Sequence, residues 1–313
     1  MAPDPLFPPS RPRYARQMAV GDGHLVYVEE CGTVHGLPVL FLHGGPGGGC
    51  SVEQRRLFDP QRFHAVLFDQ RGCGRSQPLG RIEANTTAHL VADLEYLREA
   101  LGIASWIVFG AAWGSLLALA YAEACPENVR GLVLNGVFLG SPEEIDTYVQ
   151  GRHGAVPEAW QTFAGAVPAG ERDDLLAAYA RRILADDPAV ATAAAHAWLN
   201  YERAVHGELP LAVAPDAGQL ASARIQLHYL LHQCFLLPGQ LLAGLDRLRH
   251  IPTSIVQRLA DPLCPPQVAR QLHRAWPEAI WLPVSGGGRG AMSPHVARAC
   301  IKALGWVAEG VPV

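Results

Sequence analysis

The stretch Ser105-Trp-Ile-Val-Phe-Gly-Ala-Ala-Trp-Gly-Ser-Leu-Leu-Ala118 decides the fold. It begins as an apolar, β-prone run and passes through Gly110 and Gly114 into a helix-forming run. A strand, a tight Gly-x-x-x-Gly turn and a helix are typical of a nucleophile elbow, in which the turn lifts its central residue into a pocket. In a working hydrolase that residue is Ser, Cys or Asp. Here it is Ala112, which has no nucleophilic atom.

Short apolar runs with β propensity alternate with helical patterns on both sides of this turn, and turn residues separate them. The alternation predicts an α/β fold with a mostly parallel, twisted sheet and helices on both faces. We expect strands at residues 15–20, 24–30, 38–42, 64–68, 106–109, 129–134, 253–258 and 279–283, and helices at 87–101, 115–122, 266–276 and 294–307.

The alternation breaks after about residue 137 and resumes near residue 253. Between them the sequence shows helical patterns, aromatic residues and few strand candidates, which indicates an inserted helical cap. We therefore predict a first core segment at 1–137, a cap at 138–247 and a second core segment at 248–313.

Composition narrows the possible partners and the compartment. The formal net charge is −4, and no basic run suggests binding to nucleic acid. The seven cysteines form no C-x-x-C pair, which favours a reducing cytoplasm. Neither a signal peptide nor a run of about 18 apolar residues is evident, so we expect no membrane partner. We expect a cytoplasmic monomer or homodimer that uses no metal and no cofactor.

Four motifs occur in a fixed order along the chain. This ordered set resembles the prolyl aminopeptidases (proline iminopeptidases) of the α/β-hydrolase fold, and the resemblance extends over nearly the whole chain. The motifs are His43-Gly-Gly-Pro-Gly-Gly-Gly49, Asp69-Gln-Arg-Gly-Cys-Gly-Arg-Ser76, Asn85-Thr-Thr-x-x-Leu-Val-x-Asp93 and Val108-Phe-Gly-Ala-Ala-Trp-Gly-Ser-Leu-Leu-Ala-Leu-Ala-Tyr121.

The resemblance implies positions for a catalytic triad. The family's nucleophilic Ser corresponds to Ala112, and its Asp corresponds to Asp261. Its His follows the last strand in a Gly-x-Gly-His stretch, which reads Gly286-Gly-Gly-Arg289 here. Two of the three triad positions therefore carry other residues.

The resemblance also implies binding groups. The oxyanion hole would use the Trp113 amide and an amide of the Gly44–Gly45 segment. In the cap, the family holds the amino group of its substrate with acidic side chains. Glu202 matches one of them, and the other falls at Gln226, so the carboxylate pair is half removed.

These replacements predict that ordinary aminopeptidase activity is absent. Ala112 supplies no nucleophile, and Arg289 stays protonated and cannot act as a base. Losing Ser or His alone costs about 10⁶-fold in turnover in a well-studied hydrolase. Asp261 and Arg289 would form either a structural ion pair or a site in which Arg289 binds an anionic or carbonyl oxygen. The sequence leaves both possibilities open.

Four nearby residues are candidate substitutes for the missing groups, and a structural role is the simpler explanation for each. Ser115 lies on the first turn of the helix after the elbow, and His295 lies at the start of the last helix. Cys73 and His43 belong to loop motifs of the family.

Three functions remain open from the sequence. The first is a cofactor-free cyclase, lyase or isomerase acting on a small anionic or carbonyl-containing metabolite, for example in natural-product biosynthesis. It would use the oxyanion hole and Arg289, with Asp261, Glu202 or Tyr229 handling protons, and Gln226 and Tyr201 would also contact the substrate. The second is a pseudo-hydrolase that only binds a small ligand, and the third is a residual hydrolase with a relocated nucleophile.

Overall fold

The computed structural model describes residues 4–151, 153–286 and 292–310. Its described residues form an eight-stranded sheet in the order β1-β2-β4-β3-β5-β6-β7-β8. The first two strands pair antiparallel, β2 pairs antiparallel with β4, and the remaining neighbours are parallel. The predicted α/β class and mostly parallel sheet are confirmed. The strands are β1 (Tyr14–Gly21), β2 (His24–Gly32), β3 (Leu37–Leu42), β4 (Phe63–Asp69), β5 (Trp106–Ala111), β6 (Val129–Asn135), β7 (Thr253–Arg258) and β8 (Ile280–Val284).

Helices cover both faces of the sheet and form the segment between β6 and β7. None of the described helices combines the length and apolarity needed to cross a membrane. They are α1 (Val52–Arg55), α2 (Thr87–Ala100), α3 (Trp113–Ala124), α4 (Pro142–Val149), α5 (Pro157–Gly165), α6 (Leu175–Ile183), α7 (Pro188–His206), α8 (Ala217–Leu231), α9 (Gln240–Ala243), α10 (Pro266–Ala275) and α11 (Pro294–Glu309).

Strand β5 lies in the middle of the sheet and is buried on both faces. Side chains alternate along a strand, so Trp106 and Val108 pack into one apolar layer and Ile107 and Phe109 into the other. Parallel strands buried in this way read as continuous apolar runs. This packing fixes the carboxyl end of β5, where the elbow begins, at the centre of the sheet edge.

The cap has an aromatic interior. Phe163 stacks on Tyr179 and Tyr201, with ring centroids 4.4 and 4.3 Å apart. These side chains belong to the same apolar core as α3 and one face of the sheet. The structure contains helices and no strand among the described residues between Asn135 and Thr253. Because the core is continuous, packing does not mark a boundary, and the cap limits 138 and 247 stay predictions.

Candidate active site

The turn between β5 and α3 holds its central residue in a strained conformation. Ala112 has φ +50° and ψ −115°, a combination that costs a non-glycine residue about 1–3 kcal/mol. Its amide donates to the Asn135 carbonyl at 2.9 Å, and its carbonyl accepts from the Ser115 amide at 2.8 Å. The strain is therefore maintained by the neighbouring strand and by the first turn of the helix.

Two glycines make this turn possible. A Cβ on Gly110 would lie 2.2 Å from the Gly114 carbonyl oxygen, and one on Gly114 would lie 2.1 Å from the Leu42 carbonyl oxygen. Both distances are far shorter than a van der Waals contact. The elbow is thus packed, backbone against backbone, onto the end of β3.

A cavity of about 510 Å³ opens in front of Ala112. It lies at the carboxyl ends of the parallel strands, where open α/β sheets usually bind ligands. Among the described residues no group of three or more His, Cys, Asp or Glu side chains is arranged to hold a metal ion. The lining includes Gly44, Ala111, Ala112, Asn135, Gly136, His206, Glu208, Arg258, Asp261, Cys264 and Val296.

Asp261 faces this cavity and is held firmly. Its Oδ1 accepts hydrogen bonds from the amides of Leu263 (2.9 Å) and Cys264 (3.0 Å). Its Oδ2 lies 3.2 Å from Nη2 of Arg258, the last residue of β7. Both side chains are mostly buried, with exposed fractions of 15% for Asp261 and 9% for Arg258. Arg258 is thus a cation in the cavity wall that sequence reasoning missed, although an arginine at the carboxyl end of a buried strand is itself a signal.

The predicted oxyanion amides lie beside the elbow. Gly44 lines the cavity, and a Cβ on it would stand 3.7 Å from the Ala112 methyl carbon. Trp113 is the first residue of α3, so its amide lacks an intrahelical acceptor. Its indole donates to Gln70 Oε1 at 2.8 Å, which fixes the start of the helix. Gly45 has φ +132°, and a Cβ there would approach the amides of the following glycine turn. The oxyanion role of these amides stays a prediction.

A second site lies in the cap, around Glu202 and Gln226. The Gln226 Oε1 accepts from the Trp198 indole at 2.5 Å, so its nitrogen must face the other way. That nitrogen donates to Glu202 Oε1 at 2.7 Å and to the Tyr148 hydroxyl at 2.9 Å. The Tyr148 hydroxyl also donates to Glu202. Burial raises the pKa of Glu202 to about 7.

Glu202 lines a smaller cavity of about 190 Å³. Two residues, His206 and Glu208, line both this cavity and the larger one in front of Ala112. The two cavities therefore meet at the carboxyl end of α7. A ligand that spans both would contact the elbow and the cap together.

Comparison with known proteins agrees with this architecture. A family model described as alpha/beta hydrolase fold matches residues 38–295. A proline iminopeptidase from Xylella fastidiosa (strain Temecula1) is 43% identical over 93% of this chain and 95% of its own length. The chain belongs to the proline iminopeptidase family of the α/β-hydrolase fold.

Other members of the family match over similar lengths. A proline iminopeptidase from Neisseria gonorrhoeae is 43% identical over 94% of this chain and 96% of its own. The crystal structure of a proline iminopeptidase-related protein from Thermus thermophilus superposes with a TM-score of 0.59 at 21% identity, covering 96% of this chain and 99% of that one. At that identity, the structural match supports the fold alone.

Arg289, the residue of this family member at the predicted His position, lies outside the described residues. Its pairing with Asp261 stays a prediction. Of the three triad positions, those of Ala112 and Asp261 lie within the described residues, and both line the same cavity.

The structure favours structural roles for the four possible substitutes. The Ser115 hydroxyl is buried, donates to the Ala112 carbonyl at 2.6 Å and accepts from the Phe138 amide at 3.0 Å. Cys73 is buried, and burial raises the pKa of its thiol strongly. His295 is exposed on the first turn of α11.

Both ring nitrogens of His43 are engaged. Nε2 accepts from the Gln70 amide at 3.1 Å, so Nδ1 carries the proton and donates to the Gly44 carbonyl at 2.7 Å. Burial lowers the pKa of His43. This neutral imidazole fixes the glycine loop and has no ring nitrogen left for proton transfer.

Two predicted substrate-binding tyrosines lie behind the cavities. Tyr229 is 1% exposed, donates to Asn85 Oδ1 at 2.8 Å and packs edge-on against Trp113. Tyr201 is 3% exposed and lies in the aromatic interior of the cap. Neither lines the two cavities described above. These positions favour packing roles over direct contact with a substrate.

Proposed function

We propose that this family member is a cofactor-free, non-hydrolytic enzyme that isomerises, cleaves or cyclises a small molecule carrying a carbonyl or carboxylate group. The observation that carries the proposal is the elbow itself. Strand β5, the two glycines and helix α3 place residue 112 at a cavity of about 510 Å³, and the side chain of that residue is only a methyl group.

The residues at the triad positions do not support an acyl-enzyme pathway. Ala112 cannot attack a carbonyl, and the Ser115 hydroxyl is turned into the backbone. Arg289 at the expected position of the base would hold its proton at physiological pH. Without the nucleophile and base, turnover by this route falls by about 10⁶-fold. Proline iminopeptidase activity is therefore not what we expect of this chain.

The groups that remain suit a developing negative charge. The Trp113 amide lies at the amino-terminal end of α3, where the helix dipole favours anions, and Gly44 lies beside Ala112 in the lining of the cavity. Arg258, which pairs with Asp261 at 3.2 Å, adds guanidinium N–H donors to the wall of the same cavity. Preorganised donors of this kind stabilise enolates and other oxyanions without forming a covalent intermediate.

Two residues of the cap also favour a substrate without a protonated amino group. Glu202 receives two hydrogen bonds, and its pKa is raised to about 7, so it is partly protonated near neutral pH. Gln226 stands where a second carboxylate would strengthen binding of an ammonium group, and its amide is already bound by Trp198, Glu202 and Tyr148, so Gln226 itself lines neither cavity. This pair favours a hydroxyl, amide or other neutral group over a protonated amine.

The first test is hydrolysis of proline 4-nitroanilide by four proteins: the native chain, Ala112→Ser, Arg289→His and the double variant. We expect no hydrolysis by the native chain or either single variant, because each lacks a nucleophile or a base. The double variant should gain measurable activity. Hydrolysis by the native chain that a fluorophosphonate inactivates would support a relocated nucleophile instead.

The second test uses a small-molecule extract from cells that lack the gene. The extract is incubated with the native chain, and masses and retention times are compared with a protein-free control. A compound that is consumed while another appears identifies the reaction. A compound that is bound and recovered unchanged would overturn the enzymatic proposal in favour of a ligand-binding protein.

A further inference from the structure

We propose that His206 is the proton-transferring residue of this site and that Glu208 is its positioning residue. The inference rests on the proposed function, and it names a residue that neither the motifs nor the triad positions suggested. Its basis is the place of both side chains at the junction of the two cavities.

The turn at the end of α7 brings His206 and Glu208 together. Gly207 follows the helix with φ +74°, and its amide donates to Ala204 while the Glu208 amide donates back to the Arg203 carbonyl at 2.8 Å. This left-handed turn reverses the chain and returns Glu208 to the side of the helix. The carboxylate therefore lies next to the histidine two residues before it.

Glu208 lies between Arg203 and His206. Its Oε2 pairs with Arg203 at 3.0 Å, and its Oε1 lies 3.8 Å from Nδ1 of His206. The second distance is longer than a hydrogen bond, as is common for catalytic pairs before a ligand binds. A carboxylate at Nδ1 favours the tautomer with Nδ1 protonated and leaves Nε2 as the base. Within the described residues, Nε2 of His206 makes no hydrogen bond.

The charges around His206 suit a proton carrier. The His206 side chain is 40% exposed, and the burial of the rest is the largest influence on its pKa, which it lowers; this favours the neutral ring, the form that can accept a proton. Glu208 and Asp261 act in the opposite direction and stabilise the imidazolium, whereas Arg258 and Arg203 disfavour it. Glu202 lies one helical turn earlier on α7 and lines the smaller cavity with His206.

The proposed step is a proton shift within one molecule. His206 Nε2 removes a proton from the carbon next to a carbonyl group of the ligand, and the C–H electron pair forms a C=C bond. The carbonyl π electrons move to oxygen, and the amides of Gly44 and Trp113 stabilise that enolate. The imidazolium exchanges its proton with solvent, because the His206 side chain is 40% exposed, and then protonates a different atom of the enolate. The product is an isomer of the substrate, and no other reactant is needed.

The test is isotope incorporation in D₂O. The native protein is incubated with the small-molecule extract from cells lacking the gene, and compounds that gain one mass unit per exchanged position are identified by mass spectrometry. We expect incorporation with the native chain, a loss of at least 100-fold with His206→Asn, and native behaviour with His196→Asn. His196 is a matched control because it lies on the same helix and lines neither cavity. Circular dichroism checks that each variant is folded.

Glu208→Gln tests whether Glu208 positions His206, because a purely structural role would leave the pKa of His206 unchanged. Without the carboxylate the pKa of His206 should fall, so the acidic limb of the pH–rate profile should shift to lower pH while the rate decreases about 10-fold. The same shift should appear in a ¹⁵N NMR titration of the histidine ring, which needs no ligand.

Each remaining outcome separates the two proposals. Isotope incorporation that persists in His206→Asn overturns the role of His206 and leaves the enzymatic function standing. An unchanged His206 pKa in Glu208→Gln overturns the positioning role. If the native chain neither labels nor converts any compound, the proposed function fails, and the role of His206 fails with it.

Discussion

The elbow and the cap site contribute to adjoining cavities, but different forces hold them. The elbow is fixed by backbone contacts so close that Gly110 and Gly114 admit no Cβ, and the side chain of residue 112 contributes little to the turn. The cap site is held by hydrogen bonds among the side chains of Tyr148, Glu202 and Gln226. The elbow can therefore change its chemistry without changing its shape. In the cap, a change in one side chain alters the charge of its neighbours.

The largest expected effect is at the elbow, in Gly114→Ala. The new Cβ would collide with the Leu42 carbonyl at 2.1 Å, and neither backbone can retreat. We expect destabilisation of at least about 3 kcal/mol, measured by urea unfolding, or failure to fold. Gly305→Ala in α11 is the control, because no atom lies within 4 Å of its Cβ position, and it should be neutral or slightly stabilising. A mild effect of Gly114→Ala would mean that the elbow is softer than these contacts indicate.

A pH-dependent effect is expected in the cap, at Glu202. Its pKa is raised from 4.5 to about 7 in the folded chain, so the folded state binds a proton that the unfolded state releases between these values. Its contribution to stability is therefore fully present below about pH 4.5 and is lost as the pH rises through 7, a decline of about 3 kcal/mol. Glu202→Gln should remove this decline in unfolding measurements from pH 5 to 8. Glu158→Gln, at an exposed position in α5, should retain it.

A smaller effect is expected for Trp198→Phe. The indole hydrogen bond fixes the orientation of the Gln226 amide, and its loss leaves a buried carbonyl oxygen without that donor. We expect destabilisation of about 1–2 kcal/mol in thermal unfolding. The pKa of Glu202 should also rise further if the amide turns its nitrogen away. Unchanged stability and an unchanged Glu202 titration would show that the amide is fixed by other contacts.

The smallest effect is expected for Ala112→Gly, although this position is only two residues from Gly114, where the largest effect is expected. Glycine relieves the strain at φ +50° but adds conformational entropy to the unfolded chain, so the two effects nearly cancel. We expect a change within about 1 kcal/mol, measured by urea unfolding beside Gly114→Ala. A large loss would show that the methyl group itself supports the turn, and the contrast between the elbow and the cap would weaken.

The sheet was predictable because its signals are local and periodic. The expected strand at 253–258 coincides with β7, and the other strands differ from expectation by one or two residues at their ends. Helix α3 begins at Trp113, before the predicted start, because the helix forms as soon as the elbow residue is passed. The four-residue helix α1 was not predicted, since so short a segment shows no periodicity.

The cap and the site details were less predictable. Buried residues follow one another without interruption from Ile225 to Leu230 in α8, so no single apolar stripe marks that helix. The family resemblance pointed to Asp261 and Glu202, but Tyr148 contacts Glu202 across 54 positions of sequence. The approach of His206 and Glu208 to the elbow depends on the path of the cap, which no local pattern encodes.

The continuous apolar core of cap and sheet has a consequence for how the molecule opens. Thr87 in α2 and Asn85 before it bind the cap backbone and the side chains of His228 and Tyr229. Separating cap from sheet would expose a shared interior, so the two should unfold in one transition and show comparable hydrogen-exchange protection. Ligands would then enter by small movements near the end of α7, and exchanging the whole cap for that of a relative would require redesigning one side of the sheet.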